Sequence, residues 1–319
     1  MTVRTIGIAT TSRHCQSIGL MITAAALWAT VGLADSGIKV DRIGTEVTGL
    51  LRTFLGALAL CALALALRLP IRAAGAAQSR FPWVAAGAFG LCCALFQITL
   101  FEAFRHVGIS VTVAVTVCLP PVLLACGEAL WRARSPSPMM VVAVAGATAG
   151  VALVQVLPNN MAGAGGIDLR GGALVLVASL AFCGVTLASR CMVARSNCVW
   201  ATAAGLGMAA VVLFMQIAVA GMAALEQLAL LDGADLVLLG YIGIAATGGA
   251  YLAFFTGLKL ASSASVALAA TMAEPVFAAA LAALFVGEHL TSLQIAGIAL
   301  LLSAMVALGR SATTRPPTL

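Results

Sequence analysis

The sequence predicts an all-α integral membrane protein, with ten transmembrane helices arranged as two inverted five-helix repeats and both termini in the cytoplasm. Three observations predict it: the composition, the positions of the basic residues and an internal repeat. Of the 319 residues, 62% are hydrophobic and 9% are charged, against about 25% charged in an ordinary soluble domain. The mean hydropathy of +1.10 excludes a water-soluble globule. Because a crossing helix needs ~20 apolar residues, the chain has room for ten.

Ten apolar runs are long enough to cross a bilayer, and each ends at charged residues, prolines or glycine clusters. The runs are continuous, not alternating, which favours helices over a β-barrel. The predicted spans 1 to 10 cover residues 17–34, 45–67, 83–104, 107–130, 139–157, 171–189, 199–220, 236–258, 263–286 and 291–309.

The basic residues predict the orientation, because loops rich in Lys and Arg stay in the cytoplasm. Placing the N-terminus inside puts twelve of the 17 basic residues on the cytoplasmic side: Arg4, Arg13, Arg68, Arg72, Arg80, Arg132, Arg134, Arg190, Arg195, Lys259, Arg310 and Arg315. We therefore expect cytoplasmic tails at 1–16 and 310–319, repeats at 17–157 and 171–309, and a periplasmic linker at 158–170.

An internal repeat appears at an offset of 154 residues, which aligns Pro121 with Pro275 and Phe101 with Phe255. The basic residues give an independent check, since Arg105 is predicted outside and its counterpart Lys259 inside. An odd number of helices in each repeat must invert the second copy. Secondary transporters use this construction and bind substrate near the midplane between the halves.

Several site classes lack support in the sequence. No two of the nine cysteines form CxxC, so neither a disulfide framework nor a metal site is predicted. The scattered basic residues form no nucleic-acid patch. No HExxH or GxSxG motif is present and only three His occur. We therefore expect no catalytic residues, no cofactor and no enzymatic activity.

Glu274 is the acidic residue nearest to the predicted midplane, in the middle of span 9. An ionised carboxylate there costs at least ~2.5 to 3.5 kcal/mol, so it needs a cavity, a partner or a proton. Two interpretations remain open: a cavity-lining carboxyl that exchanges protons, and a protonated or paired carboxyl that stabilises helix packing. Arg52, about two turns into span 2, is interpreted as structural or interfacial.

Prolines predict bends at similar depth in the two halves. Pro275 follows Glu274 in span 9, and Pro120 and Pro121 occupy the corresponding part of span 4. Each lacks a backbone donor and bends a helix near its centre. Such bends are typical of helices around a central site, although they also occur in purely structural spans.

Four further residues are candidates for the lining of a substrate cavity. At the 154-residue offset Gln97 aligns with Tyr251 and Trp28 with Phe182, all near mid-span. The alternative is helix packing, because a polar side chain at this depth often bonds a neighbouring helix and an aromatic one often fills a core. Gly32, Gly56, Gly248 and Gly249 are expected to allow close approach of helices.

The second half carries a recognisable motif. Ala273-Glu274-Pro275-Val276, then Gly287-Glu288-His289-Leu290-Thr291 and Gln294-Ile295-Ala296-Gly297, resembles the EamA domain of the drug/metabolite transporter superfamily. Trp28 and Arg52 lie in settings similar to the first two helices of that family. The first half departs from the motif, since Pro120 and Arg134 stand where the second half has Glu274 and Glu288.

The resemblance implies a ten-helix inner-membrane carrier of small metabolites, such as amino acids or foreign compounds. Such carriers often act outward and use the proton gradient or exchange. The expected partners are a small-molecule substrate, the lipid bilayer and a second copy of the chain. Two alternatives stay open: a non-transporting membrane sensor or assembly subunit and, with less support, an intramembrane enzyme.

Overall fold

The structure is a computed structural model. It describes residues 2–37, 44–72, 80–107, 169–221, 223–261, 267–268 and 270–281, together with scattered residues from 112 to 150 and from 284 to 304; for residues 2–12 it gives the backbone only. Predicted spans 4, 5 and 10 fall largely outside this part of the chain. The regular elements within it are helical.

Seven helices carry the described fold, and six of them are long and apolar enough to cross a membrane. They are α1 (Thr2–Gly37), α2 (Thr45–Ala66), α3 (Trp83–Val107), α4 (Leu169–Arg195), α5 (Cys198–Ala220), α6 (Gly233–Leu260) and the shorter α7 (Glu274–Leu281). The predicted spans 1, 2, 3, 6, 7 and 8 are thus confirmed as helices. Ten helices in an inverted arrangement remain a prediction.

Two helix starts differ from the prediction by three residues or more. The first helix begins at Thr2, not at residue 17. Charged residues limit the part of a helix that can lie in the membrane, but they do not end the helix itself. The eighth predicted span begins at Gly233, not at residue 236. There the Asp232 carboxylate accepts hydrogen bonds from the backbone N–H groups of Ala234 and Asp235, each at 3.0 Å, and the Asp235 carboxylate accepts from the Asp232 N–H.

A π-helical segment, Ile244–Gly249, interrupts α6 between the α-helical parts Gly233–Gly243 and Ala250–Leu260. The sequence analysis predicted a continuous helix here. Such segments are rare and often lie at functional sites. The segment faces α2, and Gly56 of α2 lies against Gly248 of the segment. A Cβ added to Gly56 would also lie only 2.9 Å from the carbonyl oxygen of Gly243, the residue before the segment. The predicted close approach at Gly56 and Gly248 is confirmed.

Helices from the two predicted halves pack against each other most extensively in three pairs, α1 with α6, α2 with α5 and α3 with α4. The first helix also contacts α7. Polar contacts add to the apolar packing, since the Ser17 hydroxyl donates to the Gly257 carbonyl at 2.9 Å. A core of buried aromatic and aliphatic side chains, with Phe89, Phe254 and Phe255 among the largest, fills the space between these pairs. This core holds the candidate site.

Candidate functional site

An aromatic cluster joins the two predicted halves. Trp28 in α1 lies 6.2 Å from Phe182 in α4 and 5.3 Å from Tyr251 in α6, measured between ring centroids, and both ring pairs meet edge to face. Phe254, one helical turn beyond Tyr251, lies 5.5 Å from Trp28. Three of the four residues proposed for the cavity lining are therefore in mutual contact around Trp28. Edge-to-face pairs of this kind each add about 0.5–1.5 kcal/mol beyond area burial.

The fourth residue, Gln97, connects to this cluster through a cysteine. Its Nε2 lies 3.8 Å from Cys93 Sγ, and the same sulfur lies 3.7 Å from the Tyr251 hydroxyl. Both Gln97 and Tyr251 are buried, at 7% and 5% exposure. The aligned pair Gln97 and Tyr251 thus shares a neighbour, and the pair Trp28 and Phe182 makes direct contact.

The Gln97 side chain leaves one polar atom without a partner. Its Oε1 is buried and accepts no hydrogen bond from the described residues. This oxygen lies on the side of α3 that faces α2, because a Cβ added to Gly49 would be 3.1 Å from it. An orphan acceptor in a low-dielectric interior costs about 1–3 kcal/mol. A donor on a bound molecule would satisfy it.

Arg52 connects α2 to the π-helical segment. Its Nε donates to the Thr247 hydroxyl at 3.2 Å. The guanidinium also lies within electrostatic range of the Tyr251 hydroxyl and of the Glu274 carboxyl. The sequence analysis interpreted Arg52 as structural or interfacial, whereas the structure brings its charge to the predicted cavity residues.

Glu274 stands at an irregular point of its helix. A 3₁₀ turn, Thr271–Ala273, runs directly into Glu274, the first residue of α7, and α7 packs against α1. Its side chain is half-buried, while that of Pro275 is buried. Pro275 lacks the N–H that would bond the Thr271 carbonyl, which accounts for a local change of helix type. The Glu274 carboxyl thus belongs to the same group as Arg52 and Tyr251.

The other predicted bends lie against α4. Pro120 and Pro121 are buried, and the Cys183 thiol, next to Phe182, lies 3.7 Å from the Pro120 carbonyl oxygen. Pro120 thus lies against α4, which carries Phe182, and the helix of Pro275 packs on α1, which carries Trp28. The bends themselves remain a prediction.

Three members of the site were missed by the sequence analysis: Cys93, Thr247 and Phe254. A signal for two of them was available, because the same 154-residue offset aligns Cys93 with Thr247. Neither residue type stands out by itself at mid-span, since Cys and Thr are common in apolar helices. Phe254 carries no signal that separates it from other core phenylalanines.

The arrangement brings together aromatic faces, one cationic group and one carboxyl group. A guanidinium binds anionic groups, and aromatic faces bind apolar or cationic ones. In the described part of the chain, no three His, Cys, Asp or Glu side chains come together as a metal site would require.

Comparisons with known proteins agree with a membrane carrier. The EamA-like transporter family matches residues 169–310. The chain is 30% identical over 219 residues to the uncharacterized transporter YwfM of Bacillus subtilis (strain 168), which is 68% of this chain and 70% of that protein. A crystal structure of a protein with 16% sequence identity matches the fold with a TM-score of 0.73, over 95% of this chain and all of the other.

Proposed function

The chain belongs to the EamA-like transporter family, and from this we propose that it is a secondary transporter of small organic metabolites that works by alternating access. The proposed cargo is amino acids or related compounds, moved outward by proton coupling or by exchange across the inner membrane. The protein is a multi-pass membrane transporter; the substrate class, the direction and the coupling are the proposal. Transport is proposed in preference to sensing and to catalysis.

The observation that carries the proposal is the composite origin of the site. Trp28 and Gln97 come from the first predicted half, and Phe182, Tyr251 and Glu274 from the second. A site between two halves becomes accessible to either side of the membrane when the halves rock against each other. A sensor or an assembly subunit has no need of a site divided in this way.

The pairing of the helices supports the inverted repeat within this proposal. If spans 1, 2 and 3 correspond to spans 6, 7 and 8, a two-fold axis makes a 1–8 contact equivalent to a 3–6 contact and maps a 2–7 contact onto itself. The most extensive contacts between the halves are of this kind: α1 with α6, α3 with α4 and α2 with α5. The proposed axis runs near the aromatic cluster.

Amino acids suit the proposed site because they carry both charges. Arg52 is placed to attract the carboxylate, and Glu274 with the unpartnered Gln97 Oε1 to attract the ammonium group. Trp28, Tyr251 and Phe182 offer faces for an apolar side chain. Glu274 is the proposed carrier of the coupled proton, since it is half-buried and lies beside a change of helix type.

Flux in proteoliposomes tests the proposal. Wild-type protein should move a labelled amino acid in response to an imposed pH gradient, and Glu274→Gln should lose gradient-driven flux while still inserting and exchanging. Gln keeps the shape of the side chain and its hydrogen bonding but does not titrate. Glu102→Gln serves as the control, because Glu102 pairs with His106 and Arg170 away from the site. Wild-type pH-dependent flux in Glu274→Gln at equal abundance would contradict the proton role.

Failure of every tested solute to move in wild-type vesicles would instead favour a sensor or an assembly subunit. A screen of the deletion strain for compounds whose toxicity or retention changes would supply the solutes. Because Glu274→Gln tests coupling and wild-type flux tests transport, the two parts of the proposal can fail separately.

A further inference from the structure

A second open space lies on the outside of the helix bundle. It is a groove of about 860 Å³ between α2 and α5, closed at one end by the chain that follows α2. None of the five proposed cavity residues lines it. Six large apolar side chains in its wall are exposed, and in a membrane those on α2 and α5 would face lipid: Phe54, Leu58, Ile71, Trp83, Val211 and Phe214.

The lining of the groove is apolar and therefore complementary to hydrocarbon chains. Among the described residues no charged side chain lines it, and apart from Cys61 and two indole rings the described lining side chains carry no polar atoms. Pockets for dissolved ligands place a few polar groups to fix the ligand's orientation. A polar solute here would leave its own groups unpaired, at a cost in free energy that an acyl chain does not incur.

The depth of the groove corresponds to one leaflet. Trp200 and Phe214 line it fourteen residues apart on α5, which at 1.5 Å per residue is about 21 Å. A leaflet with its headgroups is about as thick. The groove thus runs from the membrane surface toward the bilayer centre.

Two tryptophans mark the end that lies at the membrane surface. Trp83 and Trp200 line this end, and tryptophan side chains concentrate at the level of the headgroups. The Trp200 Nε1 donates to the Leu69 carbonyl at 3.0 Å, and the Asn197 N–H donates to the Ile71 carbonyl at 3.0 Å. These bonds fix the segment after α2 against the start of α5 and close the groove.

Four arginines lie in the chain beside the residues that line or close this end. Arg72 and Arg80 adjoin the lining residues Ile71 and Phe81, Arg68 precedes Leu69, and Arg195 precedes the start of α5; all four are exposed. Planar guanidinium groups bind phosphate oxygens in pairs. An apolar groove that ends in a cationic rim is complementary to a molecule with hydrocarbon chains and a phosphate.

Arg68 adds a second observation. It is the only non-glycine residue of the described chain with positive φ, at 50°, just beyond the end of α2. Glycine is the usual residue in this position after a helix, because a Cβ is strained there. An arginine in this strained backbone conformation indicates a functional role for the Arg68 side chain.

We propose that the groove binds an anionic phospholipid of the surrounding leaflet. The acyl chains lie between α2 and α5, and the phosphate contacts the arginine rim of Arg68, Arg72, Arg80 and Arg195. The bound lipid stabilises the contact between the two predicted halves, since α2 and α5 belong to different halves.

Thermal unfolding of the purified protein in detergent tests the headgroup part. Phosphatidylglycerol should raise the Tm more than phosphatidylcholine with the same acyl chains. Arg68→Gly and Arg80→Gln should each weaken the affinity for phosphatidylglycerol about fivefold, and Arg68→Gly should also raise the Tm without lipid because the strain is relieved. Arg13→Gln, which removes an exposed charge of α1, is the control and should bind normally. Equal effects of the two lipids, or unchanged affinity in both rim variants, would overturn the proposal.

A groove-filling variant tests the acyl-chain part. Gly207 lines the groove, and a Cβ there would meet only the Ala57 side chain, at 3.9 Å. Gly207→Phe should therefore fold and lose at least tenfold in affinity for phosphatidylglycerol. Gly240→Phe, at another helical glycine with no atom within 4 Å of its added Cβ, should bind as the wild type does. Normal binding of phosphatidylglycerol by Gly207→Phe would overturn the proposal. So would a wild-type protein that is a dimer without lipid and becomes a monomer in Gly207→Phe, because the groove would then bind a second copy of the chain.

Discussion

One polar atom of the candidate site is buried without a partner, as are Gln216 Oε1 and His14 Nε2 elsewhere in the described chain. Gln97 offers two groups, and only its Nε2 has a neighbour, the sulfur of Cys93 at 3.8 Å. Its Oε1 is buried without a partner among the described residues. Buried acceptors are nearly always satisfied, so an exception calls for a reason. A substrate that donates a hydrogen bond would provide one.

The substitution Gln97→Met tests whether Gln97 Oε1 accepts a hydrogen bond from the substrate. Methionine matches the size of Gln and removes the orphan acceptor, so we expect the free energy of unfolding to rise by about 1 kcal/mol. Transport should fall at least tenfold because the substrate donor loses its acceptor. Chemical unfolding and vesicle flux on the same preparations measure the two effects. Loss of stability in Gln97→Met would mean that the amide serves packing.

At the scale of elements, the contact between α2 and the π-helical segment of α6 governs how the halves meet. Arg52 bonds Thr247 at 3.2 Å, and Gly56 lies against Gly248 in backbone contact. The added residue of a π turn shifts the register of the helix after it, which directs Tyr251 and Phe254 toward Trp28. The segment is therefore expected to be sensitive to small changes of volume.

Gly56→Ala tests the close contact. An added Cβ would lie 2.9 Å from the Gly243 oxygen and 3.1 Å from the Gly248 nitrogen, and backbone atoms yield little. We expect a loss of about 1–3 kcal/mol in stability. Gly240→Ala, in the open part of α6, should instead be neutral or gain about 0.5–1 kcal/mol. Thermal or denaturant unfolding of the pair measures the difference. Equal free energies of unfolding for Gly56→Ala and Gly240→Ala would show that α2 and α6 move apart readily to accept the added Cβ.

At the scale of the whole molecule, the inverted topology is the main claim still to be tested. Reporter fusions after Gly165 should give a periplasmic signal and fusions after Arg195 a cytoplasmic one. The reason is that basic residues hold their loops inside, and five helices per repeat change the side of the membrane. The opposite signal at either position would remove the inverted repeat and, with it, the proposed two-fold relation of α1–α6 and α3–α4.

Sequence reasoning succeeded where a single physical constraint dominates. The six described spans of sufficient length could be located because lipid requires about 20 apolar residues in a helix. One offset paired Trp28 with Phe182 and Gln97 with Tyr251; in the structure the first pair is in contact and the second shares the neighbour Cys93, while a cavity between them stays a prediction. The place of Arg52 could not be predicted this way, because hydropathy gives its depth and not the helix it faces.

The sequence by itself determined a multi-pass helical membrane protein, its carrier family and the residues at mid-depth, since the cost of polar groups in hydrocarbon depends on composition along the chain. Only the tertiary structure decided which of those residues meet. The π-helical segment, the contact of Arg52 with Thr247 and the sulfur between Gln97 and Tyr251 arise from packing between helices distant in the chain. Their geometry depends on the rotation and spacing of facing helices, which close contacts such as that of Gly56 with Gly248 set.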